Sequence, residues 1–121
     1  MQLKTAMEKR IINVALAQKC GWVVPDSWIN KGRLDDNNEK YLSDIHVADK
    51  STGWNPFHNK GNSFDLAVTL GITCKFNHAL NQGIAWSADK DKAIYIDAEK
   101  FESKHHALMY AIAMCAYEVC P

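Results

Sequence analysis

The sequence predicts an α+β fold, a three-stranded antiparallel meander covered by helices on both faces, with one helix near each end of the chain. Three observations carry that expectation. Apolar residues recur at helical spacing near the start, after the middle and over the last stretch. Between Ile72 and Asp97 three short runs alternate or concentrate apolar residues in strand fashion. The connections between those runs are too short for parallel crossovers. At 121 residues the chain is read as a single domain, 1–121, with 47% hydrophobic and 23% charged residues and no sign of disorder.

Leu3 to Lys19 reads as an amphipathic helix with Leu3, Met7, Ile11, Val14 and Leu16 on its inner stripe. Gly21 stops it, and Trp22-Val23-Val24 is an extended exit. Turn signals at Pro25-Asp26 and Asn30-Lys31-Gly32 flank Trp28-Ile29, a pattern suited to a small hairpin. Residues 33–40 form a polar surface loop, and 41–50 a second short helix or packed loop.

The stretch Trp54 to Val68 organises the rest. Pro56 fixes its own φ and holds Asn55 extended, so that Trp54 and Phe57 pin the entry to a core. Asn59 to Asn62 turn the chain, with Gly61 free to take positive φ. Asn62 or Ser63 then caps a helix with Phe64, Ala67, Val68 and Leu70 on its apolar side, and Gly71 ends it. Strands follow at 72–76, 84–86 and 93–97, with a turn over 77–83 and a charged turn at 89–92. Ile72, Cys74, Phe76, Ile94 and Ile96 are expected beneath a helix. The last helix is capped by Ser103 and carries the stripe Ala107, Leu108, Ala111, Ile112, Cys115 and Val119.

Composition excludes several functions. The 14 basic and 14 acidic residues balance to a net charge of zero, which argues against nucleic acid as a direct partner. No run approaches a membrane span, and the broken apolar run after Lys9-Arg10 lacks a signal-peptide cleavage site. The 4 cysteines, Cys20, Cys74, Cys115 and Cys120, form no Cys-x-x-Cys pair or disulfide framework, so a reducing cytoplasm is expected. His105 and His106 are adjacent and point about 100° apart on a helix, and no metal-binding spacing occurs, so neither a metal site nor a cofactor is expected. The carboxylate pairs Asp35-Asp36 and Asp89/Asp91 sit in polar loops, away from the apolar surroundings that raise a pKa, and the chain is read as non-enzymatic.

Two surfaces remain as candidates. Trp28 and Ile29 beside Asp35, Asp36 and Glu39 join an apolar anchor to a charged rim, as at protein interfaces. His58, Lys60, Gly61 and Asn62 precede a helix, where backbone N–H groups favour a small anionic ligand such as a phosphate or carboxylate.

Cys20-Gly21-Trp22, Tyr41-Leu42-Ser43-Asp44-Ile45, Trp54-Asn55-Pro56-Phe57, Leu70-Gly71-Ile72 and the alanine-rich run from Ala107 to Ile112 together resemble the small proteins of phages and prophages grouped as the phage ABA sandwich domain. The resemblance spans most of the chain and carries structural motifs without catalytic ones. It implies a phage or prophage accessory protein in the host bacterial cytoplasm. Such a protein is expected to bind and inhibit a host macromolecule, including a defence complex such as a CRISPR system. The alternative expectation is an oligomeric protein that sequesters a ligand or nucleotide through Lys60 and the Gly61 turn.

Overall fold

The computed structural model describes residues 3–21, 54–88 and 91–121. The expected extended exit at 22–24, the Trp28-Ile29 hairpin, the polar loop 33–40 and the segment 41–50 lie outside the described residues. The chain divides into two compact units between Asn55 and Pro56, and each is described by itself. Among the described residues are three helices, one three-stranded antiparallel sheet and a short 3-10 turn, an α+β class. None of these helices is long and apolar enough to cross a membrane.

In the first unit, helix α1 spans Ala6–Lys19. Its start is fixed by a reciprocal cap: Thr5 Oγ1 accepts from the Glu8 backbone N–H at 3.1 Å, and Glu8 Oε1 accepts from the Thr5 N–H at 3.1 Å. The Thr5 backbone N–H first, and after it the Thr5 hydroxyl and the Lys4 ammonium, hold the Glu8 carboxyl below its ordinary pKa. The helix ends where Gly21, at φ +80°, donates to the Gln18 carbonyl at 2.9 Å.

The buried face of α1 differs from the expected stripe. Ile12, Asn13, Leu16 and Ala17 are buried, whereas Ile11 is 60% exposed and Leu3 lies at the surface. The phase is set by a polar anchor. Trp54 Nε1–H donates to the Asn13 carbonyl at 2.9 Å, and Asn13 Nδ2–H donates to Asn55 Oδ1 at 3.3 Å. A buried indole needs an acceptor. Docking it on Asn13 turns Ile12 and Leu16 inward and rolls Ile11 out.

In the second unit, residues 56–58 form a turn and Asn59 caps helix α2, Lys60–Leu70. Gly71 closes it in the left-handed conformation, φ 69° and ψ 38°, as its sequence position predicts. Strands β1 (Ile72–Asn77), β2 (Gln82–Ser87) and β3 (Ala93–Asp97) follow as an antiparallel meander in the order β1-β2-β3. A 3-10 turn, Ala98–Lys100, leads to helix α3, Lys104–Glu118, capped by Ser103 as expected.

Register assigns the two faces. Phe76, Gly83 and Ile96 lie opposite one another and share a face, as do Cys74, Ala85 and Ile94. A Cβ placed on Gly83 would lie 3.0 Å from the Leu108 Cα, so α3 crosses the sheet on this face at backbone contact. Ile72, Ala85 and Ile96 are buried here, while Cys74, Phe76 and Ile94 are half-buried. The opposite face carries Thr73, Lys75, Ile84, Trp86 and Tyr95, of which Thr73, Lys75 and Tyr95 are exposed. Helix α3 also packs on α2, and α2 on β1.

Candidate functional site

The expected anion-binding turn is built differently from its sequence reading. Gly61 does not turn the chain with positive φ; it lies in the first turn of α2. The cap is Asn59, not Asn62 or Ser63. Asn59 Oδ1 accepts from the Asn62 N–H at 2.9 Å, and the Asn59 carbonyl accepts from the Ser63 N–H at 3.0 Å. A Cβ on Gly61 would approach Asn59 Oδ1 to 3.3 Å, so the glycine leaves room for the cap to fold over the helix start. The carboxamide oxygen thus occupies the Asn62 donor that an anion would use. His58, Lys60 and Gly61 are exposed and the Asn62 side chain is buried.

The histidines gather instead around the start of α3. The His58 ring lies 5.9 Å from that of His106, and His106 Nδ1 is 2.8 Å from Ser103 Oγ. The same hydroxyl accepts from the His106 backbone N–H at 3.2 Å, so Ser103 is a helix cap whose proton the ring receives when Nδ1 is unprotonated. Nearby, Lys104 Nζ stands 3.4 Å from His78 Nδ1 and 5.4 Å above the Phe76 ring, which packs on His78. Among the described residues, no group of three or more His, Cys, Asp or Glu side chains is arranged to hold a metal ion.

The expected protein-contact residues Trp28, Ile29, Asp35, Asp36 and Glu39 lie outside the described residues. A different apolar feature takes shape on α2. Phe64 and Val68, read from the sequence as core, are 68% and 66% exposed. At spacing i, i+4 they form one ridge on the outer side of the helix. Helix α2 buries Asn62, Ser63 and Leu66 instead. The signal in the sequence was the Leu66-Leu70 pair, which competes with Phe64-Val68 at the same spacing and wins the inner side: Leu66 is fully buried and Leu70 half-buried.

The thiols also separate by environment. Burial pushes the Cys74 thiol above its ordinary pKa. The Cys115 thiol is pushed up to about 11, first by burial and then by the neighbouring Cys120.

No protein family, no curated protein and no solved structure matches the chain.

Proposed function

We propose that the protein is a phage- or prophage-encoded accessory protein, without catalytic activity, that binds and inhibits a host macromolecule in the bacterial cytoplasm. The target class is a defence complex of the CRISPR or a related type. The single observation that carries the binding reading is the ridge of Phe64 and Val68, each about two-thirds exposed on a well-formed helix. Large apolar side chains held together in water mark contact surfaces more often than scattered ones do. The resemblance to the phage ABA sandwich proteins supports the origin. Trp28, Ile29, Asp35, Asp36 and Glu39, read from the sequence as a contact surface, are a separate set of contact residues in this reading.

The reading is tested in cells that carry a CRISPR system directed against a plating phage. Expression of the wild-type chain is expected to restore plaque formation, and a Phe64→Ser, Val68→Ser variant with an unchanged melting temperature is expected to lose that effect. Plaque counts that stay suppressed under wild-type expression overturn the inhibitor reading. Restoration by both proteins moves the contact away from α2. Purified protein carrying a nucleotide after extraction from infected cells would favour the ligand-sequestering alternative.

A further inference from the structure

The sheet ends on two unlike edges. In the order β1-β2-β3, each outer strand has one side that no other strand among the described residues pairs. Strand β1 is guarded: exposed Lys75 sits near its middle, and α2 packs on it. A lysine on an edge strand discourages further pairing. Strand β3, Ala-Ile-Tyr-Ile-Asp, has no lysine or proline within it, and its central Tyr95 is 60% exposed. An edge without such a guard is a template for another strand.

The ladder fixes which backbone groups point outward. The Ala98 N–H donates to the Asn81 carbonyl at 2.9 Å, which makes these residues a hydrogen-bonded pair in the register of β2 on β3. Bonded and non-bonded pairs alternate along an antiparallel ladder, so Ile94 and Ile96 direct their N–H and C=O groups to β2. Ala93, Tyr95 and Asp97 direct theirs outward. Asp97 then ends the strand, its carboxylate accepting from the Glu99 N–H at 3.1 Å as the chain enters the 3-10 turn.

We propose that this edge is a homodimer interface, in which β3 of a second copy adds antiparallel about a two-fold axis at Tyr95. That register satisfies every outward group of the strand. Tyr95 exchanges both bonds with Tyr95 of the second copy, and Ala93 does the same with Asp97 in each direction. On the α3 side, half-buried Ile94 comes opposite Ile96 of the second copy, and on the other side the Tyr95 side chains meet. Charge follows the same axis. Lys92 precedes the strand while Asp97 and Glu99 close it, all three exposed, so antiparallel pairing sets the basic end of each copy beside the acidic end of the other. The next charges outward, Asp91 and Lys100, are also of opposite sign. Parallel pairing would instead set Lys92 beside Lys92 and Asp97 beside Asp97. Because α2 packs on β1, at the other edge, the dimer leaves the Phe64–Val68 ridge of each copy uncovered and does not depend on what that ridge binds.

The test measures the mass and the residue-resolved deuterium exchange of the full chain across a thousandfold concentration range. Sedimentation equilibrium is expected to show monomer giving way to dimer as concentration rises. Over the same rise the Tyr95 amide is expected to exchange about tenfold more slowly, whereas the Ile94 and Ile96 amides, already bonded to β2, exchange slowly throughout. Tyr95→Lys, which gives β3 the guard that β1 carries, is expected to weaken dimerisation about tenfold or more while the dilute protein stays folded. A chain that remains monomeric at every concentration overturns the proposal. So does a dimer in which exchange at Tyr95 is unchanged, or one that Phe64→Ser, Val68→Ser abolishes and Tyr95→Lys does not.

Discussion

Helices α2 and α3 both begin at a side-chain cap, Asn59 and Ser103, and both carry apolar residues at helical spacing. Their surroundings make them opposites. From Ala107 to Ala116 every residue of α3 is buried except the half-buried Leu108, because α3 is packed against the sheet and α2. Helix α2 buries two polar residues, Asn62 and Ser63, with Leu66, and turns Phe64 and Val68 to solvent. The periodicity of a helix therefore identifies the element but not which of two apolar stripes faces inward. That choice belongs to whatever packs against it.

The largest expected effect tests the inner helix. Tyr110 of α3 lies between Phe57 and Phe101, with ring centroids 5.4 and 5.2 Å away and tilted by 57° to each. Tilted aromatic pairs add to the energy of plain burial. Tyr110→Ala is expected to cost about 3–5 kcal/mol, as other buried aromatic truncations do. Thermal melting should fall by more than about 10 °C. A drop of only a few degrees would mean that α3 is not the central packing element.

Next comes the contact between α3 and β2. Because a Gly83 Cβ would lie 3.0 Å from the Leu108 Cα and N and 3.1 Å from the Ala107 carbonyl carbon, Gly83→Ala must push backbone against backbone. A cost of about 1–3 kcal/mol is expected by urea denaturation. The substitution Gly61→Ala offers the contrast on α2, since its nearest atom is the end of the Asn59 side chain at 3.3 Å. A Gly83→Ala protein no less stable than Gly61→Ala would show that α3 can lift from the sheet at little cost.

These two glycines show where the sequence was legible and where it was not. The strands 72–76, 84–86 and 93–97 were readable within a residue or two, since alternation and turn residues are local signals. So were the Ser103 cap and the Gly71 terminator. Gly83 looked like part of a turn because nothing near it in sequence announces Leu108. The stripe on α1 was misphased for the same reason: Asn13, a polar interruption in an apolar run, is the residue on which Trp54 docks. Of the candidate site, the existence of helix α2 after the turn was legible, but not the residue at which it starts. Its self-capping by Asn59, and the approach of His58 to His106 from distant parts of the chain, were not.

A smaller effect concerns pH. The folded Cys115 thiol titrates at about 11, above the unfolded thiol at about 8.5. The folded state thus holds its proton more tightly, so stability from this group is complete below about pH 8.5 and is lost as pH rises toward 11. Under reducing conditions the loss by pH 10 should be about 1–2 kcal/mol. Cys115→Ala should flatten that part of the stability curve relative to the parent. Parallel curves for the two proteins between pH 8 and 10 would place the ionisation elsewhere.

The smallest expected effect on stability is also the one that tests the contrast between the helices most directly. If the outer side of α2 is a true surface, Phe64 and Val68 leave water little on folding, and exchanging both for serine removes almost no buried area. Helix propensity changes only slightly, because Phe, Val and Ser lie close together on that scale. The double variant should then melt within about 0.5 kcal/mol of the parent at every protein concentration. If the ridge is instead covered by a second copy of the chain, the parent gains stability with concentration by mass action and the variant does not. Melting curves across a hundredfold concentration range separate these cases, because a monomeric surface gives superimposable curves for both proteins. A large loss in the variant that is independent of concentration would make Phe64 and Val68 part of the core after all, and would remove the difference between α2 and α3.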